Sequence, residues 1–501
     1  MHMLDNLAMG FGVIFTANNL LYCLFGAILG TLVGILPGLG PAATIAMLLP
    51  STYALGPQAS LIMLAGIYYG AQYGGSTTAI LVNLPGESSS VVTCLDGHQM
   101  ALQGRAGQAL ATAALGSFFA GCFATLLIAA FAPLLSEAAL AFGPAEYFSL
   151  ILLGLIAAVI LASGDVLKAI AMVTLGLLLG CVGADLNSNA QRFTFGLPEL
   201  DDGLDFVAVA MGVFGISEIL VNLQQPGGAR TVNRDSIKRL WLSREEFKQI
   251  TWPTIRGTLI GSLLGILPGG GALLGSFASY SIEKKIARAP SRFGKGAIEG
   301  VAAPESANNA GAQTSFIPLL TLGIPSNAVM ALMVGALMVQ GIAPGPQLIS
   351  EQPALFWGVI ASMWVGNAML IVLNLPLIGI WIRLLSAPYK LLYPTILLIC
   401  CIGAYSLENS AFSILVVAVF GVLGYVFYLL ECEAAPFMLG FILGPLLEEY
   451  LRRSLLIARG NPLEVVNHPI ALVFLLVSLA LVLLILLPNF RRVRVEAFQE
   501  E

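Results

Sequence analysis

The residues of this chain with chemistry to offer gather at four interruptions of apolar sequence. The first reads Gly34-Ile35-Leu36-Pro37-Gly38-Leu39-Gly40-Pro41, and the second repeats it as Gly265-Ile266-Leu267-Pro268-Gly269-Gly270-Gly271. Two more lie at Leu84-Pro85-Gly86 and Ile324-Pro325-Ser326. Proline removes a backbone donor and glycine permits positive φ, so a helix is expected to stop at Pro37, Pro85, Pro268 and Pro325. Around the breaks the side chains are small and polar: Thr44, Ser76, Thr77, Thr78, Asn83, the run Glu87-Ser88-Ser89-Ser90, Glu305, Ser306, Asn308, Asn309, Gln313, Thr314, Ser315, Ser326 and Asn327. No lysine or arginine falls inside the motifs. An anion held there would have to be met by helix N-termini, whose free N–H groups and positive dipole end bind carboxylate without a fixed cation. This reading selects Gly38, Gly40, Pro41, Ser88, Ser89, Gly269, Gly270, Gly271, Ser326 and Asn327 for substrate. Helix C-termini with carbonyl, amide and carboxyl oxygens suit a coupling ion, Na⁺ or H⁺. That selects Glu305, Asn308, Asn309, Thr314 and Asn83.

Glu305 is the sharpest single residue. A carboxyl inside a small, apolar segment is costly and marks function by default, as proton carrier or Na⁺ ligand. The bland alternative is a hydrated interfacial residue near Lys295. Glu87 has the same two readings but sits in a polar run. Glu218, Glu408, Glu431 and Glu433 are expected near span ends, solvated or paired. Asp165 and Lys168 are spaced as a helical pair. The seven cysteines show no metal-type spacing, and His2, His98 and His468 are isolated. GxSxG, P-loop and HExxH motifs are absent, so the chain reads as a non-enzyme without cofactor. With no ATP-binding motif, any transport runs on an ion gradient or by diffusion.

The elements that must carry these residues are membrane helices. The chain is 57% hydrophobic and 10% charged over 501 residues, with mean hydropathy +0.88. Soluble domains carry about 25% charged residues. Apolar runs recur at 109–134, 354–381, 410–430 and 470–487, each near the roughly 20 residues that cross a bilayer as a helix. The expectation is an all-α polytopic membrane protein of roughly 10–14 segments, with broken or re-entrant helices. The N-terminus lacks a basic region, so its first apolar stretch is expected to remain as a resident segment. Nothing resembles a nucleic-acid face.

Basic residues at 223–256 and 284–295, and Arg491, Arg492 and Arg494, predict a cytoplasmic side. The acidic loop 185–205 predicts the outside. The stretch 257–283 lies between two cytoplasmic loops and is short for two crossings, so a re-entrant hairpin turning at 268–271 is expected. The halves also repeat: Pro37 matches Pro268, Gly70-Ala71-Gln72 matches Gly311-Ala312-Gln313, and Pro85 matches Pro325. This divides the chain into a first repeat (1–222), a basic linker (223–256), a second repeat (257–460) and a final span with a basic tail (461–501). Paired, interrupted segments at corresponding places point to a transporter site at the midplane. Whether the repeats are inverted stays open at this point, and a channel or a membrane scaffold without flux of its own remains an alternative.

The two glycine breaks, the run Gly300-Val301-Ala302-Ala303-Pro304-Glu305-Ser306-Ala307-Asn308-Asn309-Ala310 and Leu322-Gly323-Ile324-Pro325-Ser326-Asn327 strongly resemble the large membrane subunit (TctA family) of the tripartite tricarboxylate transporters. The likeness covers nearly the whole chain. It implies a multi-pass protein of a bacterial inner membrane that imports citrate-type di- and tricarboxylates with Na⁺ or H⁺. It also implies a separate small membrane subunit of about four spans and a periplasmic solute-binding protein as partners. The shared motifs are backbone devices and do not name the carboxylate.

Overall fold

The computed structural model describes residues 3–36, 40–162, 165–185, 190–224, 240–267, 270–384 and 389–486. These residues are almost wholly helical; their one sheet pairs β1 (Gly183–Ala184) with β2 (Gln191–Arg192). Pro37, Gly38, Pro268 and Gly269, the basic residues Arg230, Arg234, Lys238 and Arg239, and the tail arginines lie outside the described residues.

The first half opens with α1 (Met3–Ile14), α2 (Ala17–Ile35), α3 (Pro41–Thr52) and α4 (Pro57–Val82), and a distorted helix then spans 88–102. Next come α5 (Ala106–Ala139), α6 (Pro144–Leu161), α7 (Val166–Gly180) and α8 (Phe206–Gln224). The second half begins with the pair α9 (Arg244–Gly265) and α10 (Gly271–Ile286), followed by α11 (Glu299–Thr314), α12 (Phe316–Leu322), α13 (Ala328–Val339) and α14 (Pro353–Asn374). It closes with α15 (Tyr389–Glu408), α16 (Ala411–Leu429), α17 (Ala434–Ile457) and α18 (Pro469–Leu486). Among the described residues six helices (α2, α5, α8, α14, α16 and α17) are long and apolar enough to cross a membrane. The run 354–381 is not one helix, because α14 ends at Asn374.

Close glycine packing sets the direction of the central helices. Gly26, Gly30 and Gly34 of α2 abut the carbonyls of Met63, Ile67 and Ala71 of α4, where a Cβ would stand 2.3, 2.4 and 2.3 Å away. Both series rise together, so α2 and α4 are parallel. The second half repeats the device: Gly257, Gly261 and Gly265 of α9 abut Ala303, Ala307 and Gly311 of α11. Small residues at such spacing let backbones approach, which is how helices associate where lipid offers no hydrophobic drive. Two parallel helices joined through a third require the third to run back. Therefore α3 returns from the break after Ile35, and α10 returns from the break after Gly265. The expected hairpin in 257–283 is present, although α9 starts earlier, at Arg244 inside the stretch read as linker, under a Ser243–Glu246 capping box.

The relation between halves follows from α4 and α11, which carry the matching Gly-Ala-Gln triplets. Ser76 meets Glu305, Gln72 meets Asn308, and Ile80 and Val301 both flank Gly97. Numbers rise on one helix as they fall on the other, so the equivalent helices are antiparallel and the repeats are inverted. The basic segments share one end of the bundle: Arg105 pairs with Glu246 at 3.6 Å, Gln103 donates to the Lys295 carbonyl at 2.7 Å, and Arg292 pairs with Glu299 at 3.2 Å. The second hairpin starts and finishes at that basic end. The first enters from the other, where Gln340 donates to the Thr52 carbonyl at 2.8 Å.

The outer helices interleave the halves. Gly176 of α7 packs on Phe437 of α17, and Gly212 of α8 packs on Val417 of α16. Asp165 and Lys168 do not pair with each other. Asp165 caps α7 by accepting from Leu167 N at 2.9 Å, and Lys168 reaches the Leu430 carbonyl at 2.7 Å and Glu431 at 3.4 Å.

Candidate functional site

The breaks end on a cavity of about 570 Å³ between the two hairpins. Its wall is made of helix beginnings. Gly40 is the N-cap of α3, Gly270 of α10, Glu87 of the helix 88–102, Asn327 of α13 and Glu433 of α17, and all five line the cavity. The arrangement is the repeat made physical. Glu87 and Asn327 follow the matching Pro85 and Pro325, and both are extended, with φ of −151° and −156°. Before them α4 and α12 end in the left-handed conformation, at Asn83 (φ 55°) and Gly323 (φ 71°). Asn327 accepts from Met330 N at 2.9 Å, which leaves the other N–H groups of that first turn to the cavity side. Gly270 has φ 112°, a value that favours glycine.

No lysine or arginine lines the cavity among the described residues. Positive potential there comes from helix dipoles, each worth about 0.3–1 kcal/mol to an anion when exposed and up to about 2 kcal/mol when partly buried. Three carboxyl groups, Glu87, Glu218 and Glu433, line the same space. Glu433 sits at a span end as expected, as the N-cap of α17, whereas Glu218 lies within α8, and both face the cavity. The side chain of Glu408 lies outside the described residues.

Behind the cavity a polar seam joins α4, the helix 88–102 and α11. Its outer layer is Gln72, Glu87, Ser89 and Asn308. Ser89 Oγ donates within reach of both Asn308 Oδ1 (2.5 Å) and the Glu87 carboxylate, and Asn308 Nδ2 donates to Glu87 Oε1 at 3.1 Å. With its amide turned to satisfy every neighbour, Gln72 donates to Glu87 Oε1 at 2.6 Å. One helical turn deeper lies the inner layer, Ser76, Thr93 and Glu305. Ser76 Oγ donates to Glu305 Oε2 at 2.5 Å, and Thr93 Oγ1 donates to Oε1. Glu305 is fully buried, so the hydrated interfacial reading of it is excluded. Each layer uses one residue from each helix because Gln72/Ser76 and Ser89/Thr93 are four apart and Glu305/Asn308 three apart, which places each pair on one helical face.

The structure brings Gly40, Pro41, Ser88, Ser89, Gly270, Asn327 and Pro85 to the cavity, and Glu305 and Asn308 to the seam behind it. It places the others elsewhere. Gly271 is packed on the Leu264 carbonyl, 2.1 Å from its would-be Cβ, and closes the second hairpin. Ser326 donates to the Ser315 carbonyl at 3.4 Å, and Pro325 is buried beside it. Thr314 donates to the Ala310 carbonyl at 3.0 Å and faces Gly265. Asn309 turns away from the seam and donates to Ser117 Oγ at 2.7 Å. Asn83 is exposed at the end of α4. Residues that sequence reasoning did not select are Gln72, Ser76, Thr93 and Tyr68, together with the N-terminus of α17. The four-residue spacings on either side of Pro85 were the available signal.

A family model described as "Tripartite tricarboxylate transporter TctA family" matches residues 20–439. The chain is 59% identical over 501 residues, all of both chains, to an uncharacterized 52.8 kDa protein in the TAR-I ttuC' 3' region of Agrobacterium vitis. It is 58% identical over 241 residues to an uncharacterized protein in the TAR-II ttuC' 3' region of the same organism, covering 48% of this chain and all of that relative. No solved structure matches.

Proposed function

Since the chain belongs to the tripartite tricarboxylate transporter TctA family, we propose that it is the large membrane subunit of a secondary importer of citrate-type di- and tricarboxylates, driven by a Na⁺ or H⁺ gradient. Its partners in this reading are a periplasmic solute-binding protein, which delivers the carboxylate, and a small membrane subunit. The setting is a bacterial inner membrane.

The observation that carries the reading is the cavity walled by five helix N-caps and devoid of fixed cations among the described residues. Carboxylate oxygens fit free N–H groups at helix starts, and Ser88, Ser89 and Asn327 add oriented donors. Gly40 and Gly270 let the main chain come close. Because Glu87, Glu218 and Glu433 line the same space, an entering carboxylate meets like charge. Two unit charges about 4 Å apart repel by about 4 kcal/mol at an effective dielectric of about 20. Protons or cations must cancel that charge as the anion binds, which is the physical link between anion uptake and an ion gradient. The hairpins reach the cavity from opposite ends, so moving them as a body against α7, α8, α16 and α17 opens it to one side at a time.

The test is reconstitution with the two partner proteins in liposomes, measuring labelled citrate and related carboxylates under imposed Na⁺ and pH gradients. Uptake that follows one gradient and needs the binding protein is expected. Uptake that persists with both gradients collapsed would make the protein a facilitator, and absence of flux would make it a scaffold.

A further inference from the structure

A second, much smaller void lies on the far side of Ser76 from the carboxylate cavity. It measures about 10 Å³, room for one water-sized body. Five polar side chains line it: Tyr73, Ser76 and Thr77 of α4, Ser117 of α5 and Asn374 at the end of α14. All five are at least 97% buried.

The direction of their protons decides what fits. Ser76 donates to Glu305 or to the Gln72 carbonyl, at 2.5 and 3.0 Å. Thr77 donates to the Tyr73 carbonyl at 3.5 Å, and the Tyr73 hydroxyl donates to Asn367 Oδ1 at 3.2 Å. Asn374 commits its amide nitrogen to the Leu370 carbonyl at 3.0 Å and to Thr31 at 3.4 Å, and its Oδ1 has no partner. An unpartnered buried carbonyl oxygen is unfavourable unless something in the void meets it. Four of the five thus turn their protons elsewhere and offer lone pairs to the void, and the fifth, Ser117 Oγ, accepts from Asn309 Nδ2 at 2.7 Å. Such a set of oxygen lone pairs suits a small cation, which needs only acceptor oxygens around it.

We propose that this void is a binding site for a single dehydrated Na⁺, coordinated by the oxygens of Asn374, Ser117, Ser76, Thr77 and Tyr73. Hard, small cations take oxygen ligands of this kind. The counter-charge is Glu305, one hydrogen bond away through Ser76. No cationic side chain lines the void. Ser117 also ties the site to α11, since it accepts from Asn309. The ion therefore bridges α4, α5 and α14 and touches, through Ser76, the seam that backs the carboxylate cavity. This deepens the coupling-ion part of the proposed function and rests on that reading only for its role in transport. Occupancy of the site is measurable without any carboxylate.

The experiment is equilibrium binding of ²²Na⁺ to the purified full-length chain in choline chloride at constant ionic strength, with no carboxylate present. Saturable binding of one Na⁺ per chain is expected, with K⁺ and choline failing to compete at equal concentration. Asn374→Leu removes the carbonyl oxygen at similar volume, and Ser117→Ala removes a hydroxyl; each is expected to weaken binding about tenfold or more, about 1.4 kcal/mol. Should Asn374→Leu fail to fold, Ser117→Ala carries the comparison. The site is overturned by absence of saturable Na⁺ binding, by equal competition from K⁺, or by binding unchanged in the folded variants. Any of these leaves carboxylate import untouched, whereas failed uptake beside intact Na⁺ binding strikes the transport reading alone.

Discussion

At the scale of single residues the site turns on Glu305. A carboxyl in apolar sequence is conspicuous, so it was legible without coordinates. Its partners were not, because Ser76 and Thr93 lie 229 and 212 positions away and are ordinary residues in their own segments. Sequence marks an expensive group but not what satisfies it. Glu305→Gln tests the role directly. The amide keeps the shape and one acceptor, and Ser76 has an alternative acceptor in the Gln72 carbonyl at 3.0 Å, so the fold should survive. The expected outcome is a protein level and melting temperature close to the parent's, carboxylate binding within about twofold of the parent, and gradient-driven uptake reduced by about tenfold or more. Uptake of normal rate and normal coupling would remove Glu305 from the mechanism.

At the scale of elements the proline-glycine breaks were readable, and the helices do stop at Ile35 and Gly265 and resume at Pro41 and Gly271. The glycines that hold the hairpins together were overlooked, although Gly26, Gly30 and Gly34 and Gly257, Gly261 and Gly265 stand four apart on one helical face. Apolar runs revealed the scaffold more easily than the site. Helices α4 and α9 have 26 and 22 residues, yet they carry too many polar groups to stand out as spans. Their polar groups are what the interior needs. Close backbone packing at some glycines and open space at others predict a sharp contrast between them. A Cβ on Gly261 would sit 2.1 Å from the Ala307 carbonyl oxygen and 2.5 Å from its Cα, both backbone. Gly261→Ala must push α9 off α11, at about 1–3 kcal/mol. Gly12 meets nothing within 4 Å in α1, and alanine there should be neutral or stabilise by up to about 1 kcal/mol. Thermal unfolding in one detergent reads both. Equal melting temperatures for Gly261→Ala and the parent would mean that the close approach does not hold the hairpin.

For the whole molecule, the inverted repeat could be suspected from matched motifs but not demonstrated. Apolar runs alone do not fix it, because one crossing more or less in a half reverses the relation between the repeats. The decisive fact is a contact between halves, Ser76 to Glu305 beside Gln72 to Asn308, which no local pattern contains. Inversion fixes what each end of the molecule presents. The basic end carries Arg244, Lys248, Lys284, Lys285, Arg288, Arg292 and Lys295 and is the base of the second hairpin. The opposite end carries the loop with Glu199, Asp201 and Asp202 and is the base of the first. The positive-inside rule predicts that the basic end faces the cytoplasm. Each side of the membrane then controls one hairpin, and the cavity sits where their tips meet. Two exposed positions test this: Phe195, 87% exposed in the acidic loop, and Lys285 in the last turn of α10. A membrane-impermeant maleimide added to intact cells should label Phe195→Cys above the background of the parent cysteines and leave Lys285→Cys at background until the cells are opened. The reverse pattern would flip the molecule in the membrane without disturbing its symmetry. Labelling of both positions from one side would break the inverted arrangement itself, and with it the argument that the two hairpins gate the cavity from opposite faces.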